Sequence, residues 1–272
     1  MQFVDAMHVW ESRRWGVARP GWGRLLERVG EMPQLAHADV VGCVSEDVAR
    51  SVMSQGIPPE RVLVTPSTAD TARFHPSVDG AWVRRELALE ETRVVFGWAG
   101  SFRRFHGLHL AIEAFARVVA THPSTSLLLV GDGAERRNLE SLVRDRDLTR
   151  HVRFTGQVAH EDMPSYLAAM DVALITAGDP DGFHYSPLKL REYLATAVPV
   201  IAPQVGQIAL ALRSGIDALL YDPEDVSALA EAMLLLADND ELRRSLGIAG
   251  RELELSTGGM DRQIDEVLAR VQ

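Results

Sequence analysis

The stretch "RVVFGWAGSFRRFHGLHLAIEAFARVVATH", residues 93–122, changes its hydrophobic period half-way. Its first seven residues are a short apolar run rich in β-branched and aromatic side chains, the mark of a strand buried on both faces. From Gly107 the apolar residues recur at spacings of three and four, the mark of a helix with one buried stripe. Gly100 and Gly107 bracket the loop between them. The same couplet repeats downstream. "SLLLV" (126–130), "VRFT" (152–155), "DVALI" (171–175), "VPVIA" (198–202) and "DALLY" (217–221) read as strands. Each is followed by an amphipathic helical stretch, the last being "DVSALAEAMLLLADN". Strands joined by single helices need crossover connections, so the pattern predicts an α/β fold with a doubly wound parallel sheet. Ligands of such sheets bind at the carboxyl ends of the strands. That directs attention to the loops at 100–107, 131–134, 156–160, 176–187 and 203–206.

Residues 1–75 have a different pattern. "LAHADVVGCVSEDVARSVMSQGIPPERVLVTPSTADTARF" predicts a helix end, a strand, a helix, a strand and a linker. Two strands are too few for an independent doubly wound unit, so a partial second α/β domain is expected ahead of the main one. The segment "HVWESRRWGVARPGWGRLLERVG" (8–30) holds Trp10, Trp15 and Trp22 among five arginines. It is expected to be an irregular loop, with contact at a membrane surface as the second alternative.

Composition excludes several classes. The chain has 272 residues, 46% hydrophobic and 24% charged, as ordinary soluble domains do. A net charge of −10 argues against a general nucleic-acid surface. Cys43 is the single cysteine, which leaves neither a disulfide framework nor a cysteine-based metal site. No apolar run approaches the ~20 residues that span a bilayer, and the first residues lack a secretory signal pattern. A cytoplasmic protein is expected, with peripheral membrane contact as the variant.

Among the 28 basic residues, Lys189 is the only lysine. It lies in "TAGDPDGFHYSPLKLREYLA" (176–195), where Ser186 suits an N-cap and Pro187 the first helical position. Lys189 then falls in the first helical turn, against the helix dipole. That cost is offset if an anion sits there, and lysine is the compact point charge suited to a phosphate. Glu192, one turn on, can accept hydrogen bonds from ribose hydroxyls. The competing interpretation is a solvated Lys189–Glu192 pair of little energetic weight. Gly100-Ser101 and "GDG" (131–133) let backbone amides approach an anion, though both are also simple turns, and neither fits the dinucleotide fingerprint. Asp179 and Asp181 flank Pro180 and read as a turn rather than a metal site. His106 and His109 lack a third ligand, so a phosphate partner suits His106 better than a metal.

These stretches resemble, in order over residues 36–255, the carboxy-terminal half of the retaining, GT-B-fold nucleotide-sugar glycosyltransferases of the glycosyl transferases group 1 family. "GWAGSFRRFHGLHLAIEAFA", "LLLVGDGAERRNLESLV", "VRFTGQVAHEDMPSYLAAMDVALI" and "SPLKLREYLATAVPVIAP" carry the resemblance. It implies a Rossmann-like donor domain over 76–255, a remnant of the acceptor-side domain with its linker over 1–75, and a terminal helix over 256–272. Most of the acceptor-side domain is expected ahead of residue 1, with a partner chain or dimer covering the remnant. It also implies a nucleotide-diphosphate sugar as donor, a sugar, lipid-linked or small-molecule acceptor, and no metal or other cofactor. Lys189, Glu192 and His184 take the catalytic positions. Gly100 and Ser101 would face the diphosphate, Gly156 and Val158 the base, and Gly182 and Phe183 the donor sugar, with His106, Gly131, Ser186 and Leu188 also donor-binding. Many family members carry Arg and Lys where this chain has Ser101 and His106. Lys189 would then carry the positive charge that those two residues usually supply, and, separately, the family's first paired glutamate falls on His184, so that carboxylate is missing. A non-catalytic nucleotide-sugar-binding subunit is the alternative function; a nicotinamide-dependent enzyme is disfavoured by the missing fingerprint.

Overall fold

The computed structural model describes residues 3–5, 29–30, 32–89, 94–178, 187–223 and 225–271. They fall into two compact units. One gathers the residues through Ser67 with those from Gly258 onward; the other runs from Thr68 to Thr257.

The first unit holds a parallel three-stranded sheet in the order β1-β2-β3, formed by Phe3–Asp5, Val40–Cys43 and Val62–Val64. The sequence pattern predicts two strands here, and the structure has three. Phe3–Asp5 is three residues long, too short to show a period, and is recognisable only by its pairing of Phe3 with Val40. Helix α1 is Met32–His37 and α2 is Glu46–Met53. Ser45 starts α2 by accepting the Val48 amide at 3.2 Å, which satisfies one of the free N–H groups of the first turn. Leu35, Val41, Cys43, Val48, Val52 and Val62 form its core.

The second unit holds six parallel strands in the order β6-β5-β4-β7-β8-β9. They are β4 Val94–Ala99, β5 Thr125–Val130, β6 Val152–Gly156, β7 Val172–Leu174, β8 Val200–Pro203 and β9 Leu219–Tyr221. Helix α3 is Ala81–Glu86, α4 Leu108–Thr121, α5 Arg136–Asp145, α6 Met163–Ala168, α7 Leu188–Ala195, α8 Gly206–Ala211, α9 Val226–Asp238 and α10 Asp240–Ser256. The final helix, α11 (Gly259–Val271), belongs to the first unit, where Arg270 donates to the Glu60 and Val62 carbonyls and Gln263 to that of Pro66.

Every residue of β5 is buried, as expected of a strand covered on both faces. Phe96 and Trp98 on β4 join Leu127 and Leu129 on β5 against Ile112 and Phe115 of α4 and Leu229 and Met233 of α9. The alternate residues Val95 and Leu128 are equally buried. Asp225 caps α9 by accepting the Ser227 and Ala228 amides at 2.8 and 2.9 Å, and Asn239 caps α10 through the Leu242 amide at 2.9 Å.

From β4 the chain steps outward through β5 to β6, then returns to place β7 on the other side of β4. β4 and β7 thus lie side by side where the strand order reverses, the place at whose carboxyl ends such sheets form a ligand crevice.

Candidate active site

Backbone hydrogen bonds bring the loop after β4 into register with its neighbours. The Gly100 amide donates to Val130 at 2.9 Å, Phe102 to Asp132 at 2.9 Å, and Gly178 to Phe105 at 2.8 Å. Thr176 Oγ1 donates to the His106 carbonyl at 2.5 Å, joining the β4 and β7 loops. The Gly131 amide reaches the Gly156 carbonyl at 3.0 Å, so the ends of β4, β5 and β6 form one continuous rim. Two glycines permit that closeness. Gly131 has φ +127°, and a Cβ there would overlap the Gly100 carbonyl. Gly100 has φ +138°, and a Cβ there would lie 2.9 Å from Lys189 Nζ and 3.2 Å from the Trp98 ring. Neither position tolerates a side chain.

Lys189 enters from the other side of the crevice. Helix α7 opens at Leu188 with Pro187 as its N-cap; Ser186 lies outside the described residues. The expected cap is thus displaced by one residue, since Pro187 adopts extended φ/ψ of −71° and 116° and cannot itself be helical. Lys189 remains in the first turn. Its Nζ sits 3.4 Å from the centroid of the Trp98 ring. Burial holds the ammonium well below the usual lysine range, with Glu192 acting in the opposite sense. The Glu192 carboxyl is raised, chiefly by burial, against the charges of His160, Lys189 and Arg73. The first turn of α7 carries no acidic residue. A lysine side chain and a helix N-terminus free of acidic residues thus meet at the crevice, a setting that favours an anion.

Tyr193 anchors α7 to the sheet. Its hydroxyl accepts the Ala99 amide at 2.7 Å, and the ring is fully buried. Behind it, Arg191 Nη1 meets Glu254 of α10 at 3.2 Å, and Glu254 also accepts the Ala69 amide at 3.3 Å. Both side chains are buried, so this pair links α7, α10 and the segment entering the unit.

The structure brings Gly100, Gly131, His106, Lys189 and Glu192 together around the ends of β4 and β5. His106 is buried, its ring 5.4 Å from that of Trp98. Its pKa is pushed down to about 2, by burial first and then by Lys189 and Arg103, so it is a neutral imidazole at physiological pH. Gly156 ends β6, and Val158 follows it, half-buried. Ser101 is exposed on the loop and Leu188 is exposed at the start of α7. Gly182, Phe183 and His184, like Asp179 and Asp181, lie outside the described residues. Sequence patterns did not single out Trp98, Tyr193, Thr176, Arg73 or His160. Trp98 reads as strand core, and its place one residue before the Ala99-Gly100 strand end is the one local cue; Arg73 and His160 reach Glu192 from segments far apart in the chain.

Comparison with known proteins gives a consistent pattern. The model of the family described as "Glycosyl transferases group 1" matches residues 83–253, well over half of the chain. A D-inositol 3-phosphate glycosyltransferase of Corynebacterium urealyticum is 30% identical over 227 residues, 79% of this chain and 52% of the relative. The N-acetyl-alpha-D-glucosaminyl L-malate synthase of Bacillus anthracis is 26% identical, over 80% of this chain and 55% of the relative. The chain thus spans about half the length of the curated relatives it matches. Among solved structures, Anabaena Alr3699/HepE in complex with UDP and glucose superposes with a TM-score of 0.77 at 20% identity, covering 88% of this chain and 65% of that one. That likeness concerns the fold.

Proposed function

The chain belongs to the glycosyl transferases group 1 family, and from that premise we propose that it binds a nucleotide-diphosphate sugar at the β4–β7 crevice and takes part in transferring the sugar, with retention, to an acceptor hydroxyl. The observation that carries this proposal is the chain's single lysine, held at a helix N-terminus over the glycine rim of β4 and β5. The Anabaena structure of the same fold is a complex with UDP and glucose, which supports a nucleotide diphosphate as the ligand.

Transfer breaks the bond from the anomeric carbon to the β-phosphate oxygen, and the electron pair leaves with the diphosphate. The acceptor oxygen forms the new bond and passes its proton to an oxygen of the departing diphosphate. Charge therefore develops on the departing diphosphate. Lys189, the N-terminal amides of α7 and the Gly100 loop are arranged to meet it, the kind of preorganised donor set whose members are worth about 3–4 kcal/mol each in a dry site. Glu192 accepts the ribose hydroxyls, and Gly156 and Val158 lie against the base. With the diphosphate neutralised by these groups, the scheme requires no metal ion, and transfer is expected to persist in EDTA.

The test is calorimetry with UDP, GDP and NAD, on the wild type and on Lys189→Met. UDP or GDP is expected to bind, and Lys189→Met to weaken it tenfold or more, since a charge-assisted contact contributes ~1.5–3 kcal/mol. Preference for NAD, or unchanged affinity in the variant, overturns the proposal. Incubating the chain with UDP- and GDP-sugars and following the anomeric proton by NMR then separates a retaining transferase from a binding subunit that turns nothing over.

A further inference from the structure

Lys189 does not stand free in the crevice. Its Nζ lies over the face of Trp98 at 3.4 Å, within the range of a cation–π contact. The indole is fully buried, wedged edge-on against His106 at 5.4 Å and tilted against Phe102 at 5.9 Å, so the face is fixed. Gly100 leaves the room the ammonium occupies: a side chain there would meet both Nζ and the indole.

The choice of tryptophan is itself informative. Trp98 Nε1 is buried and, among the described residues, donates to no protein atom. A phenylalanine would fill the strand end without leaving a buried N–H to satisfy. What tryptophan supplies beyond phenylalanine is the more negative ring face.

We propose that Trp98 is the positioning residue for Lys189, its indole face holding the ammonium charged and aimed at the donor diphosphate. This rests on the donor-site proposal above. The ring covers one side of the ammonium and leaves the N–H groups on the opposite side for oxyanions. It also joins Glu192 in offsetting the desolvation of the ammonium. The titratable groups that face Lys189 are Glu192 on its own helix and His106 from the loop after β4. Glu192 favours the ammonium, and His106 is neutral. Without the indole, the amine surrenders its proton at a lower pH.

The test measures UDP and GDP affinity by calorimetry between pH 6 and 9 for wild type, Trp98→Phe, Trp98→Leu, Lys189→Met and the Lys189→Met/Trp98→Leu double variant. Trp98→Leu is expected to bind roughly three- to thirtyfold more weakly, the span of a cation–π contact, with the deficit growing as pH rises. Trp98→Phe is expected to fall between it and the wild type. In the Lys189→Met background, Trp98→Leu is expected to change nothing further. An equal loss in that background, or a loss independent of pH, overturns the role of Trp98 and leaves the donor site standing. Should Trp98→Leu not fold, Trp98→Phe decides alone, and a pH profile superimposable on that of the wild type overturns the proposal. If Lys189→Met binds as well as wild type, it is the donor-site proposal that fails.

Discussion

Glu192 shows how one residue of this site is set against the stability of the protein around it. Burial raises its carboxyl pKa above the ordinary value of about 4.3. A group whose folded pKa is raised contributes stability below its unfolded pKa and loses it as pH rises through the folded value. At neutral pH the half-buried carboxylate is therefore a cost, offset only in part by His160, Lys189 and Arg73. Glu192→Gln removes the charge while keeping the shape. Its melting temperature is expected to exceed that of the wild type at pH 8, the difference vanishing below about pH 4, while nucleotide-sugar affinity falls. Thermal melts across that pH range check the sign. A variant less stable than wild type at pH 8 would show that the carboxylate is held by partners stronger than its burial.

At the scale of elements, α7 is the part that must be placed correctly, and two contacts place it. Tyr193 receives the Ala99 amide directly beneath the glycine rim. The Arg191–Glu254 pair holds the helix to α10. Both partners of that pair are buried, so removing one strands a charge, whereas removing both does not. Glu254→Leu alone is expected to cost about 3–5 kcal/mol in urea denaturation, and Arg191→Met with Glu254→Leu to recover most of it. Equal destabilisation by the single and double variants would mean that the pair contributes through packing rather than charge. The helical period of "LKLREYLA" was plain in the sequence, and so was the placement of Lys189 in a first turn. That Arg191 would be buried was not, because its partner lies on α10, far along the chain.

Across the whole molecule, the proposed ligand site of the six-stranded unit falls where the strand order reverses. A nucleotide bound there stabilises the folded unit by mass action. At a hundred times its dissociation constant UDP or GDP, whichever binds, is expected to add ~2.7 kcal/mol, which for a unit of this size raises the melting temperature by ~5–10 °C. Thermal shift in a nucleotide titration measures it, and a midpoint that never moves would count against the crevice as a nucleotide site. The alternation of apolar strands with amphipathic helices was enough to derive a parallel sheet, because hydrophobic period is a local property written into each segment. The unusual residue, Lys189, and the loops bearing Gly100 and Gly131 were also visible in one dimension, since composition and glycine placement need no neighbours to be noticed. The sequence by itself therefore determined the class of fold and the strand ends at which to search. Only the tertiary structure decided which strands are adjacent, that Trp98 lies beneath the ammonium, and that Arg73 and His160 face Glu192. Those relations join segments tens of residues apart, and they arise when the sheet closes and burial sets each side chain's charge, not from any pattern within a single segment.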